Sequence, residues 1–191
     1  MLPSTKSALN DPQTSARGAK TCTLLDLEGQ RVFFNLGSKA SPVSTPFGAT
    51  SYNDEATSRK TLDLRLPADV DDDFLGFDVW AVQYLAENSE RLFKKKMSKT
   101  QIEEHYRSPV SRKEGYQPLL RCKVSTGGKY AVRTWDEDNE RTDLPEDLRP
   151  HDLVPRLHLS HLWIMGREFG WVFAVTDLLV MKGDTQAECP F

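Results

Sequence analysis

A chain of 191 residues with 38% apolar side chains holds material for one ordinary core and ragged ends, but not for two domains. No stretch reaches the roughly 18 uninterrupted apolar residues of a membrane span, Pro3, Lys6 and Asp11 stand where a secretory signal needs an apolar run, and Cys22, Cys122 and Cys189 form no CxxC pair; an intracellular protein (cytoplasm or nucleus) without membrane partner, disulfide framework or zinc ribbon is expected. The net charge of -3 hides an asymmetry: Arg91 to Arg133 holds twelve basic and three acidic residues, a local +9, so the rest carries -12, which fits a basic surface on an acidic body or a merely solvated basic face.

Residues 1 to 19, rich in Ser, Pro, Thr, Gln and Ala, read as a disordered tail, and 20 to 181 as a single folded domain. Thr21 to Leu36 has strand composition broken by Glu28, Gly29 and Gln30, which predicts a hairpin. Residues 37 to 50 carry loop signals, with short strand content at Ser51 to Asn53. In Lys60 to Leu66, Leu62, Leu64 and Leu66 alternate with Thr61, Asp63 and Arg65, the period of a half-buried strand.

After Pro67 the period changes. Phe74, Phe77, Ala81, Tyr84 and Leu85 recur at spacings of three and four, and Asp71 to Asp73 and Lys94 to Lys96 sit where the helix dipole favours their charge, predicting one long helix. Ser98 and Gln101 have capping-box spacing for a short second helix to about Tyr106, which Pro109 prevents from continuing. Leu119 to Ser125 and Lys129 to Trp135 read as strands joined through Gly127 and Gly128 in a tight hairpin. An acidic connector follows. Arg156 to Met165 and Phe169 to Met181 form a last hairpin about Gly166 and Arg167, and 182 to 191 is a flexible C-terminal tail. The order predicts a mainly-β (α+β) fold: an antiparallel barrel of the oligonucleotide-binding (OB) kind, with the helices inserted mid-chain.

Catalytic and metal motifs are incomplete. Asp69, Asp71 and Asp73 match the opening of a calcium loop, but Phe74 replaces the bending glycine and Trp80 the closing glutamate; helix N-terminal charge explains them. His158 and His161 are an odd distance apart, which on a regular strand puts them on opposite faces. Gly127-Gly128-Lys129 lacks the rest of a phosphate loop, and no strained nucleophile motif occurs. No metal, cofactor or catalytic residue is expected.

The constellation that points to a ligand is the basic and aromatic stretch from Leu119 to Trp135, because a groove for single strands needs cations for phosphates and flat rings for bases. In one hairpin register Arg121, Lys123 and Tyr130 share a face; a one-residue slip groups Arg121, Lys123, Lys129, Arg133 and Trp135. Trp171 is a lesser candidate, since rings in strands more often belong to the core.

The succession Pro46-Phe47-Gly48, the strand at 62 to 66, Tyr116-Gln117-Pro118-Leu119-Leu120-Arg121-Cys122-Lys123-Val124 and Leu162-Trp163-Ile164-Met165-Gly166-Arg167-Glu168-Phe169-Gly170 resembles single-stranded-DNA-binding proteins, of the divergent kind encoded by phages and large DNA viruses. The resemblance spans about residues 45 to 181. It implies an OB barrel, sequence-tolerant binding and service to replication, recombination or repair without catalysis, which adds a viral replication site to the expected locations. The end of the chain, Ala187-Glu188-Cys189-Pro190-Phe191, is similar to the acidic tip by which bacterial single-strand binders recruit replication partners, implying that role for Glu188, Pro190 and Phe191.

The resulting expectation is that Lys94, Lys95, Lys96, Arg121, Lys123 and Arg133 meet phosphates while Tyr130, Trp135 and Tyr116 stack on bases. RNA stays open beside DNA, as does self-association. The alternative is a protein-interaction or virion structural module whose basic face meets an acidic partner; a third reading is a nucleic-acid-processing enzyme using Asp69 to Asp73 or the histidines.

Overall fold

The computed structural model describes residues 8–14, 18–26, 28–51 and 57–183. Its principal strands are β1 (Lys20–Cys22), β2 (Phe33–Asn35), β3 (Arg59–Arg65), β4 (Leu119–Ser125), β5 (Arg133–Trp135), β6 (His151–Met165) and β7 (Glu168–Lys182). Helices α1 (Ala68–Glu87), α2 (Ser89–Phe93) and α3 (Lys99–His105) lie between β3 and β4. The C-terminal tip with Glu188, Pro190 and Phe191 lies outside the described residues.

The β6–β7 hairpin is the frame. Met165 pairs with Glu168, so Gly166 and Arg167 are the whole turn, with Gly166 at φ +62°, a region glycine enters without a Cβ penalty. β1 and β2 lie end to end along β6, both antiparallel to it, while β4 and β5 lie end to end along β7, both parallel to it. β4 pairs antiparallel with β3. Residues 43 to 50 close the ring: Val43 exchanges backbone hydrogen bonds of 2.8 and 2.9 Å with Leu153 of β6, and Ala49–Thr50 pairs with β3. The result is an OB-like, partly open barrel with the helices inserted between β3 and β4. The sheet is mixed, not antiparallel as expected, because β4 and β5 run with β7.

Both earlier hairpins are corrected in the same way. Residues 26 to 30 do turn, with Asp26 N–H donating to the Gln30 carbonyl at 2.9 Å and Leu25 bridging Arg31 antiparallel beside it, but the longer flanking strands β1 and β2 pair with β6 and not with each other. Gly128–Tyr130 forms a short 3-10 turn, after which the chain resumes the same direction along β7. In each case a long neighbouring strand offers more backbone partners and more apolar surface than local pairing does. Neither register considered for a β4–β5 hairpin exists.

α1 fills the barrel mouth because its period presents Phe74, Phe77, Ala81, Val82 and Leu85 inward, all buried. Phe74 meets Phe173 at a centroid distance of 5.6 Å, edge to face, and Phe34 meets Phe173 at 5.8 Å. The helix stops at Glu87 and does not run on to the lysines: Asn88 Nδ2 donates to the Tyr84 carbonyl at 2.9 Å and Ser89 Oγ to that of Ala86 at 2.8 Å. α2 then ends at Lys94, φ +58°. The capping box of Ser98 and Gln101 forms at the start of α3.

Residues 8 to 14, expected in a tail, pair with the body. Ala8–Leu9 joins Leu24–Leu25, Gln13–Thr14 joins β1, and the Leu9 N–H donates to Tyr84 Oη at 3.0 Å. The short strand expected at Ser51 to Asn53 is Ala49–Thr50 instead, and residues 52 and 53 lie outside the described residues.

Candidate nucleic-acid interface

β7 alternates between two environments. Its inward residues Trp171, Phe173 and Val175 are buried, so Trp171 is a core ring and leaves the candidate list. Its outward residues Ala174, Asp177 and Leu179 form the middle of an outer face whose rows follow from register. Thr61, Lys123, Ala174, His158 and Phe33 make one row across five strands; Arg133, Asp177, Arg156 and Asn35 make the next.

Tandem placement of β4 and β5 achieves what the hairpin was expected to do. Lys123 is level with Ala174, Arg133 with Asp177 and Trp135 with Leu179. At ~3.3 Å per residue this line runs roughly 17 Å along β7, and Arg121 extends it on β4. On β3 the inward phase belongs to Leu62 and Leu64, which sends Arg59, Asp63 and Arg65 outward beside β4.

Two carboxylates hold the guanidiniums. Arg121 Nε and Nη2 donate to Asp63 at 3.1 and 3.2 Å, and these hydrogen bonds raise the Arg121 pKa above its ordinary value. Arg133 Nη2 donates to Asp177 Oδ2 at 2.7 Å, and Trp135 Nε1 to Asp177 Oδ1 at 3.3 Å. Burial disfavours the charged Asp177, but hydrogen bonds from Arg133, Trp135 and Thr176 outweigh it and hold the carboxyl below its usual range. Lys123 Nζ donates to Thr61 Oγ1 at 3.0 Å. Arg141 sits 5.7 Å from the Trp135 ring centre.

The remaining expected residues are dispersed. Tyr130 is 71% exposed on the 3-10 turn between β4 and β5, with Lys129 Nζ 5.7 Å from its ring centre. Tyr116 is 79% exposed in the loop leading into β4. Lys94, Lys95 and Lys96 are exposed, but they follow α2, whose Phe93 packs on the inward ring of Phe169 at 4.8 Å. They therefore sit at the end of the barrel near the β6–β7 turn, apart from the row.

Sequence reasoning missed Phe33, Arg156, Arg59 and Arg65. The signal for Phe33 was present: of two adjacent phenylalanines on a strand, one must face out. Phe33 is 41% exposed, stacks on His158 at 5.0 Å and 28°, and has the Arg156 guanidinium 5.2 Å from its centre. His158 and His161 do not lie on opposite faces as expected, because a bulge at Ser160 restores them to one side; their partners are Ala174 and Val172. Burial, with smaller contributions from Arg31 and His161, depresses the His158 pKa to about 4. Among the described residues no group of three or more His, Cys, Asp or Glu is placed to hold a metal ion.

No protein-family model matches the chain, and no curated protein matches it. Among solved structures, its fold is that of phage single-stranded-DNA-binding proteins. The single-stranded DNA-binding protein of bacteriophage Enc34 aligns over 96% of this chain and 96% of its own, with a TM-score of 0.53 and 10% identity. The same protein in complex with single-stranded DNA aligns over 92% of this chain and 96% of its own (TM-score 0.53, 10% identity). The gp2.5 protein of bacteriophage T7, also a single-stranded DNA binder, aligns over 81% of this chain and 88% of its own (TM-score 0.51, 11% identity). At such identities the likeness is one of fold.

Proposed function

We propose that this chain is a sequence-tolerant single-stranded DNA-binding protein that serves replication, recombination or repair and catalyses no reaction. One observation carries the reading: the cations of β4 and β5 fall in a single line on the outer face, with Trp135 at its end, on a fold that phage single-strand binders share. In this reading phosphates run along Arg121, Lys123 and Arg133, extended by Arg59 and Arg65, while bases stack on Trp135 and on Tyr130 and Tyr116 at the margins.

Asp63 and Asp177 have a defined part. In the free protein they orient Arg121 and Arg133 outward, so the guanidinium forks are already ordered when a phosphate arrives. They also temper affinity, because an arriving phosphate meets a neighbouring carboxylate. Each stacked base contributes on the order of 1–3 kcal/mol. Each neutralised phosphate releases counterion, making binding strongly salt-dependent. The buried free thiols of Cys22 and Cys122 fit the intracellular setting this role implies.

Fluorescence anisotropy of labelled oligo-dT at two ionic strengths tests the proposal. Micromolar or tighter binding at low salt, falling steeply as salt rises, is the expected result. Absence of binding at low salt would defeat it in favour of a protein-interaction module.

A further inference from the structure

Across β7 from the basic line lies an open cleft of about 530 Å³, lined by Phe33, Asn35, Trp135, Asn139, Arg156 and Asp177. Its chemistry differs from that of the line. Its lining includes the Asp177 carboxylate, which repels a phosphate. Oδ2 already accepts from Arg133 and Thr176, but Oδ1 accepts only the long 3.3 Å bond from Trp135, leaving lone-pair capacity toward the cleft. The lining also holds the rings of Phe33, Phe34 and Trp135, and the side-chain amides of Asn35 and Asn139 carry both donors and acceptors.

We propose that this cleft is a nucleobase subsite: a base leaves the phosphate line, stacks on Phe33, and presents its amino or imino edge to Asp177 and the asparagine amides. The inference rests on the single-strand-binding reading and adds a place that the basic line does not supply. Phe33 suits the task because its ring is fixed before a ligand arrives. His158 stacks beneath it at 5.0 Å, and the Arg156 guanidinium lies 5.2 Å from its centre. Arg156 makes no ion pair among the described residues and lies over the ring, so an inserted base displaces its guanidinium, which is then free to take the phosphate attached to that base. The carboxylate thus sorts the strand, with bases turned inward to the cleft and phosphates kept to its cationic edge.

Phosphate and base contacts leave different signatures, since only the former set the dependence of affinity on salt. Phe33→Ala is expected to weaken oligo-dT binding about tenfold with an unchanged slope of log affinity against log salt, and Phe33→Trp to retain affinity. Irradiation of a bound iodouracil-substituted oligo-dT should crosslink the peptide containing Phe33. Wild-type affinity in Phe33→Ala, or crosslinks confined to Tyr116 and Tyr130, would overturn the subsite while leaving the basic line in place. Failure of the wild-type chain to bind at low salt would instead overturn the single-strand reading and the subsite with it.

Discussion

Phe33 and Phe34 are the same side chain on the same short strand, separated by one step of the pleat. Phe34 points inward, half-buried, and meets Phe74 and Phe173; Phe33 points outward, keeps 41% of its surface exposed and carries an arginine on its ring. β7 repeats the contrast, with Phe173 and Val175 inside and Ala174 and Asp177 outside. What a ring does in this protein is therefore decided by parity rather than by residue type. On the proposed reading the inner face supplies stability and the outer face affinity, so changes on the two faces should be separable.

The sharpest break in that division would be an inner-face change that altered binding. Phe173→Ala removes a fully buried ring at the junction of α1 and β7, and should cost about 3–5 kcal/mol of stability. Denaturant unfolding should show that loss, while the affinity of the folded fraction for oligo-dT stays within about twofold. The converse change, Lys123→Ala with Arg133→Ala, should lower affinity about 10- to 100-fold at low salt and reduce the salt slope by about 1.4, with a midpoint shift under about 2 °C.

A smaller effect sits on the boundary between the faces. His158 is buried under Phe33 with Nε2 lacking a hydrogen-bond partner among the described residues, and its pKa is depressed to about 4 by burial first and by Arg31 and His161 after it. As pH falls from about 6.5 to about 4, the unfolded chain takes up a proton that the folded chain refuses. Stability should thus be full above pH 6.5 and decline across that window, by on the order of 1–2 kcal/mol once partial access of water to the ring is allowed for. Thermal melts of wild type and His158→Gln measure this; the variant should have a flatter profile there.

The smallest expected change has the opposite sign to an ordinary interface mutation. Asp63→Asn removes the charge that tempers Arg121, and should tighten oligo-dT binding about two- to fivefold at low salt without unfolding the protein. Anisotropy titration at two salt concentrations distinguishes this gain, which salt should erase, from a general structural effect.

Residues with a single strong period were legible in the sequence. Leu62 and Leu64 alternate with the polar Thr61, Asp63 and Arg65, so β3 and its inner face followed directly. The inward stripe of α1 and the Gly166 turn were readable for the same reason. Partner choice was not readable. Gly127 and Gly128 signal a local turn, but whether β5 folds back on β4 or continues along β7 depends on a strand some forty residues away. The basic line was anticipated in composition and came together through a different topology, while Lys94 to Lys96 separated from it because Asn88 and Ser89 end α1 early. The histidine pair escaped because one bulged residue, Ser160, reverses parity and leaves no periodic trace.

Mapping backbone amide shifts on addition of unlabelled oligo-dT to isotope-labelled protein tests the division of the barrel most directly. The predicted perturbations concentrate at Arg121, Lys123, Arg133, Trp135, Arg156 and the outward residues Ala174 to Leu179. Perturbations centred on α1 and Lys94 to Lys96, with the outer face silent, would contradict it.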